Sequence, residues 1–146
     1  MCLGFLAINL SKSNPLFMGD AGSLFLGFMV CFIAIETIYN GELSVLYWFI
    51  LLSYCLTETT LTTLYRILFI DKWYTAHRSH AYQNLARISN NHWKITFLIL
   101  LYHLLWLFPL AYLSIFSSVN AFYLIIMAIV PTLIFNVALG PRFSSS

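Results

Sequence analysis

Charge is what this sequence has least of. Only 8% of its 146 residues are charged and 61% are hydrophobic, against roughly 25% and 45–50% in soluble domains. So little polar surface excludes an ordinary soluble domain, because the apolar remainder would drive aggregation in water. Basic runs are missing too, and no nucleic-acid partner is expected. Cysteine is sparse: Cys2, Cys31 and Cys55 have no metal-ligand spacing, and the last two sit inside apolar runs as small thiols. The first ten residues are apolar but have neither a basic leading region nor a small-residue cleavage site. They read as the tail end of a longer hydrophobic segment, a partial helix, and not as a signal peptide. Internal repeats and low-complexity tracts are absent. Aspartate occurs only at Asp20 and Asp71, so no adjacent pair exists.

What the sequence does have is long apolar runs, at 21–38, 43–70, 95–116 and 119–139. Each approaches or exceeds the roughly 20 residues that cross a hydrocarbon core. Short alternating strands of the barrel type are not seen, and a lipid-exposed backbone must satisfy its own hydrogen bonds, so the runs are read as helices. The expected fold is an all-α polytopic membrane protein of about four spans, forming one domain over 1–146. Pro109 and Pro131 lie inside spans as possible kink points. Turns are expected at Tyr39-Asn40-Gly41 and Ser117-Ser118, a polar loop over 71–94, and a helix stop at Gly140-Pro141.

The basic residues give an orientation. Lys12, Arg66, Lys72, Arg78, Arg87, Lys94 and Arg142 all fall on one side of a four-span threading, while Glu36 and Glu42 fall on the other. The positive-inside rule places the basic side, with the 71–94 loop, in the cytoplasm.

Two constellations lie on that side. In the first, Gly19-Asp20-Ala21-Gly22-Ser23 opens the first full span. Glycines let a backbone approach a ligand, and a helix start favours anions. A carboxylate there suits a divalent cation bridging to phosphate. Asp20 as a plain helix cap fits the same residues. In the second, Glu58, Thr62 and Arg66 are spaced by four on one helical face. A glutamate inside a span costs roughly 2.5–3.5 kcal/mol on insertion scales, so it should face protein or water. The stripe reads equally as packing or as part of a site. The following loop, Ala76-His77-Arg78-Ser79-His80-Ala81-Tyr82-Gln83, clusters two imidazoles and a guanidinium. No cysteine or acid is near enough to complete a zinc shell. The cluster suits pyrophosphate, or simply lipid headgroups. His92 is read as an interfacial loop residue and His103 as a satisfied packing residue.

The segment Phe17-Met18-Gly19-Asp20-Ala21-Gly22-Ser23-Leu24-Phe25-Leu26-Gly27-Phe28 resembles the FMGDxGSxFLGF segment of the polyprenyl-phosphate N-acetylhexosamine-1-phosphate transferases. These are the glycosyltransferase family 4 membrane enzymes that make the first lipid-linked intermediate of peptidoglycan, enterobacterial common antigen and many O-antigens. Thr57 to Arg66 is similar to the family's Asp-Ala-Thr-x-Thr-Leu-x-x-Arg stretch, with Glu58 where aspartate is usual. The histidine loop resembles the AHRSHxYQ loop of the O-antigen-initiating type. His80 stands at the first position of the family's His-x-His pattern and Tyr82 at the second.

The resemblance implies transfer of an N-acetylhexosamine-1-phosphate from a UDP-sugar to undecaprenyl phosphate at a bacterial inner membrane. It implies Mg2+ held by Asp20, with Asp20 and His80 as catalytic residues. Gly19, Gly22, Ser23, Arg66, His77, Arg78 and Gln83 become substrate-binding. It covers only the C-terminal half of the family pattern; the aspartate pair that family members carry in their N-terminal half has no counterpart here. A fragment inactive by itself is therefore expected, whose partners would include a missing N-terminal half or a second copy. The alternatives are a non-enzymatic membrane protein that binds nucleotide sugar or a partner subunit, and a small transporter subunit. Transport is disfavoured because Glu58 is the one ionisable group expected near mid-membrane.

Overall fold

The computed structural model describes residues 19–69, 80–89, 92–116 and 119–140, with only the backbone described at Gly19, Asp20 and His92. Among these residues every regular element is helical. The expected partial helix over the first ten residues lies outside the described residues. The chain divides into two compact units, Met1–Glu42 and Leu43–Ser146.

In the first unit, α1 spans Gly19–Tyr39. Its apolar side chains point in all directions, as a helix facing lipid requires. The helix stops because Gly41 takes a left-handed φ of 72°. Gly41 N–H then donates to Ile38 O at 3.1 Å, and Glu42 N–H to Thr37 O at 2.9 Å. This pair of bonds is a Schellman cap, which satisfies carbonyls that the helix end would otherwise orphan. The turn expected at Asn40-Gly41 is this cap.

The second unit begins with α2, Val45–Phe69, started by Ser44, whose hydroxyl accepts from Tyr47 N–H at 3.1 Å. A short helix, α3, covers Ala81–Ser89. Helix α4, His92–Tyr102, continues through a π turn at His103–Leu107 into α5, Phe108–Phe116. Helix α6, Ala121–Leu139, is capped by Asn120, whose side chain accepts from Phe122 N–H at 3.0 Å. The segment read as a polar loop over 71–94 is thus partly helical. It contains α3, and α4 begins at His92.

Counting α1, four helical stretches are long and apolar enough to cross a membrane: Ala21–Tyr39, Val45–Phe69, Trp93–Phe116 and Ala121–Leu139. Helices α2 and α6 run in the same direction, with the α4–α5 span antiparallel to both. Ile50 and Tyr54 of α2 meet Leu107, Leu110 and Ala111 from the middle span and Leu124 and Ala128 from α6. The fully buried Ala111 and Ala128 let the backbones approach closely. His103 is a packing residue as expected: its Nδ1 lies 2.8 Å from Ile99 O and its ring meets Tyr54 edge-on.

The two in-span prolines are accommodated differently. Pro109 follows the π turn, in which Phe108 N–H bonds His103 O. A wider turn relieves the conflict between a proline ring and the carbonyl four residues before it. Pro131 lies inside an unbroken α6. Having no N–H, it orphans Met127 O, and Trp106 Nε1 donates to that carbonyl at 3.0 Å. The neighbouring Ala128 O accepts from Tyr102 OH at 3.4 Å. A donor on the adjacent span thus replaces the bond the proline removes.

Trp106→Phe should destabilise the bundle by about 1 kcal/mol, the upper range for one interhelical hydrogen bond in a membrane. In a Pro131→Ala background, where Met127 O regains a helical partner, the loss should shrink. A double-mutant cycle of unfolding in mixed micelles measures both.

Candidate functional site

Toward the end of the unit that holds α3, the interior of the bundle turns polar. Helix α2 buries Tyr54, Glu58, Thr62 and Arg66, each four residues from the last, with Ser53 beside them. Helix α6 buries Thr132 and Asn136, also four apart. Spacing by four puts each set on one helical stripe, and the stripes meet where α2 packs on α6. Asn136 Nδ2 donates to Thr132 O at 2.9 Å, which leaves its Oδ1 without a hydrogen-bond partner among the described residues. The same holds for Thr62 Oγ1. Unmatched buried oxygens of this kind call for water or a ligand group. Thr62 and Asn136 also line a mainly apolar groove of about 220 Å³ with Leu61, Leu64, Tyr65 and Leu68.

Glu58 is 4% exposed, and its carboxylate is answered by the start of α3. Tyr82 N–H donates to Glu58 Oε1 at 3.3 Å, and the neighbouring Ala81 N–H faces the same carboxylate. Both N–H groups belong to the first turn of α3, where the helix has free donors and a partial positive charge. His80 precedes that turn. Its Nδ1 lies 3.9 Å from the same Oε1, with 22% of the side chain exposed. The Tyr82 ring stacks on the imidazole, the centroids 5.8 Å apart, and Gln83 Nε2 donates to Tyr82 OH at 3.3 Å. Burial pushes the Tyr82 phenol above its ordinary range; the Gln83 bond acts the other way, and the charge on Glu58 adds to the rise.

Asn84 holds the other side of α3. It is 3% exposed, and its Nδ2 donates to Leu139 O at 2.8 Å and Gly140 O at 3.1 Å. Arg87 donates to Asn84 Oδ1 at 3.2 Å. Asn84 therefore ties α3 to the last turn of α6, at the stop expected at Gly140. A side chain at Gly140 would collide with Asn136 O, so the close ending of α6 requires glycine there.

Of the residues singled out from sequence, the structure brings His80 and Gln83 together beside Glu58, on α3 and the residue before it. Arg66 is buried two helical turns beyond Glu58 on α2. Gly22 and the exposed Ser23 lie in the first two turns of α1, in the other unit. Asp20 lies on the described part of α1, which runs from Gly19. The Asp20 side chain, and the whole of His77 and Arg78, lie outside the described residues. Sequence reasoning missed Asn84, Thr132 and Asn136. The last two had a visible signal, as a four-spaced polar pair in an otherwise apolar span.

The sequence model of the family described as Glycosyl transferase family 4 matches residues 1–38. The family resemblance read from the sequence holds over that segment, which contains Phe17 to Phe28 and most of α1. No curated protein and no solved structure matches the chain.

Asn84→Ala should destabilise the attachment of α3 by about 2 kcal/mol, because two carbonyls at the end of α6 lose their donor. Faster proteolysis between α3 and α4, without loss of the spans, checks it.

Proposed function

We propose that the chain takes part in moving an N-acetylhexosamine-1-phosphate from a UDP-sugar to undecaprenyl phosphate, releasing UMP, at the cytoplasmic face of a bacterial inner membrane. The observation that carries this reading is the family match over residues 1–38, which includes the Gly19-Asp20-Ala21-Gly22-Ser23 turn. A glycosyl transferase family 4 segment points to transfer of a sugar phosphate onto a lipid carrier. The UDP-sugar, the undecaprenyl acceptor and the orientation come from the motif resemblances and the one-sided basic residues.

In this reading Asp20 is the ligand of Mg2+, which when bound would neutralise phosphate charge. A single hard carboxylate at a helix start suits an ion that keeps several waters and borrows substrate oxygens. Ser23 and the glycine backbone beside it line the phosphates. His80, Arg78 and His77 contribute cationic donors, Gln83 an amide, and Arg66 a buried positive charge. A lipid phosphate acceptor needs polar groups next to an apolar channel, and the groove beside Thr62 and Asn136 supports that requirement.

Turnover needs more. Phosphoryl transfer depends on neutralising and aligning the transferred group, and the sequence holds just two aspartates, Asp20 and Asp71. A second carboxylate cluster from another polypeptide segment would complete the metal shell. Losing contacts made only in the transition state abolishes turnover while sparing ground-state binding.

Purified chain should therefore bind UDP-N-acetylglucosamine weakly and in a magnesium-dependent way by calorimetry, without forming lipid-linked product. Asp20→Asn should raise the Kd at least about tenfold, or 1.4 kcal/mol. Unchanged affinity would make Asp20 structural only, and robust product from the chain alone would show that no second carboxylate cluster is needed. Ile88→Cys, at an exposed α3 position, should be labelled from the cytoplasmic side of the membrane; labelling from outside intact cells reverses the orientation.

A further inference from the structure

We propose that the cavity beside Tyr54 holds one acyl chain of a bilayer phospholipid, whose ester carbonyl accepts from the Tyr54 hydroxyl. The inference stands apart from the transfer reaction proposed above.

Four helices of the second unit shape this cavity of about 260 Å³. Tyr54 comes from α2, Leu85 from α3, Leu98 and Tyr102 from α4, and Thr132 and Phe135 from α6. The wall is nearly all hydrocarbon, and two of its three hydroxyls have spent their protons inside the protein. Tyr102 OH donates to Ala128 O at 3.4 Å, and Thr132 Oγ1 donates to Ile129 O at 2.6 Å. Tyr54 differs. It is 7% exposed, and its hydroxyl has no hydrogen-bond partner among the described residues. Its ring is packed against His103, edge-on at 5.2 Å, and against Tyr102 at 6.1 Å. A buried hydroxyl left unmatched is costly, so an entering group that offers an acceptor is favoured. A single water would match Tyr54 but leave most of the hydrocarbon-lined space unfilled. An acyl chain with a carbonyl at one end fills the space and matches the hydroxyl.

The bilayer is the source. Leu98 is 57% exposed on the span that begins at Trp93, so the cavity opens sideways into lipid. Tryptophan marks the headgroup level, and Leu98 lies about 7.5 Å further along the helix. The mouth is thus just below the headgroups, where ester carbonyls join phospholipid chains. No charged side chain lines the cavity among the described residues, so the phosphate stays outside. A prenyl chain has no carbonyl and would leave Tyr54 unmatched.

The test uses the purified full chain in detergent and a phosphatidylglycerol with a photoreactive diazirine in one acyl chain. Cross-links should concentrate on Leu98 and Phe135. Unlabelled diester phosphatidylglycerol should compete about fivefold better than its diether analogue, a difference of one neutral hydrogen bond. In Tyr54→Phe, which keeps the ring, the two competitors should become equal. Equal competition in the wild type would overturn the proposal without any variant having to fold. A diester preference that persists in folded Tyr54→Phe would place the carbonyl on another donor and contradict the assignment. Cross-links spread evenly over the exposed Phe97, Phe122 and Ile134 would reveal only a surrounding lipid shell and refute the site. Undecaprenyl phosphate displacing the probe better than the diester would also refute it, and would give the cavity to the acceptor of the proposed transfer.

Discussion

A carboxylate buried in a membrane-spanning helix needs donors, and the start of α3 supplies them. The described architecture of the second unit follows from that need. Glu58 draws in the Ala81 and Tyr82 N–H groups, and this sets where α3 begins. It also sets where His80 stands and which face of α3 meets the bundle. Asn84, one turn later, meets the end of α6. A nine-residue helix is too short to be stable alone. Held at both Glu58 and Asn84, it becomes a fixed platform for the residues around it.

The bundle divides its work along its length. Around Ile50, Leu107, Leu124 and Ala128 it is apolar and close-packed. There the polar features are repairs, such as the Trp106 bond to the carbonyl that Pro131 orphans. Around Glu58, Thr62, Thr132 and Asn136 it is polar, and buried oxygens, Thr62 Oγ1 and Asn136 Oδ1 among them, are unmatched among the described residues. Close packing costs nothing in chemistry at the first end. At the second, unmatched groups are tolerable only where water or substrate can reach them.

The spans were legible because apolar length is a direct physical requirement of the bilayer. Asn40-Gly41 and Gly140 marked helix ends because each supplies a conformation or a clearance that other residues lack. The Glu58, Thr62 and Arg66 stripe was readable from its spacing alone. The helix inside the polar loop was not. Its alignment depends on a glutamate more than twenty residues earlier, and no local pattern encodes that partnership. Asn84 looked like an ordinary loop residue for the same reason, since its partners are backbone carbonyls of a distant helix. The FMGD segment was legible by resemblance, and the family match covers it. What Asp20 holds depends on a side chain outside the described residues.

The most direct test of this account is hydrogen exchange at the Tyr82 amide in the intact chain. Helix N-termini normally exchange freely, because their first N–H groups have no partner within the helix. If Glu58 accepts from Tyr82 N–H, that amide should be protected as strongly as the interior of α3, and protection should fall in Glu58→Ala. Exchange at the rate of an unstructured peptide in the wild type would mean that the carboxylate does not hold α3.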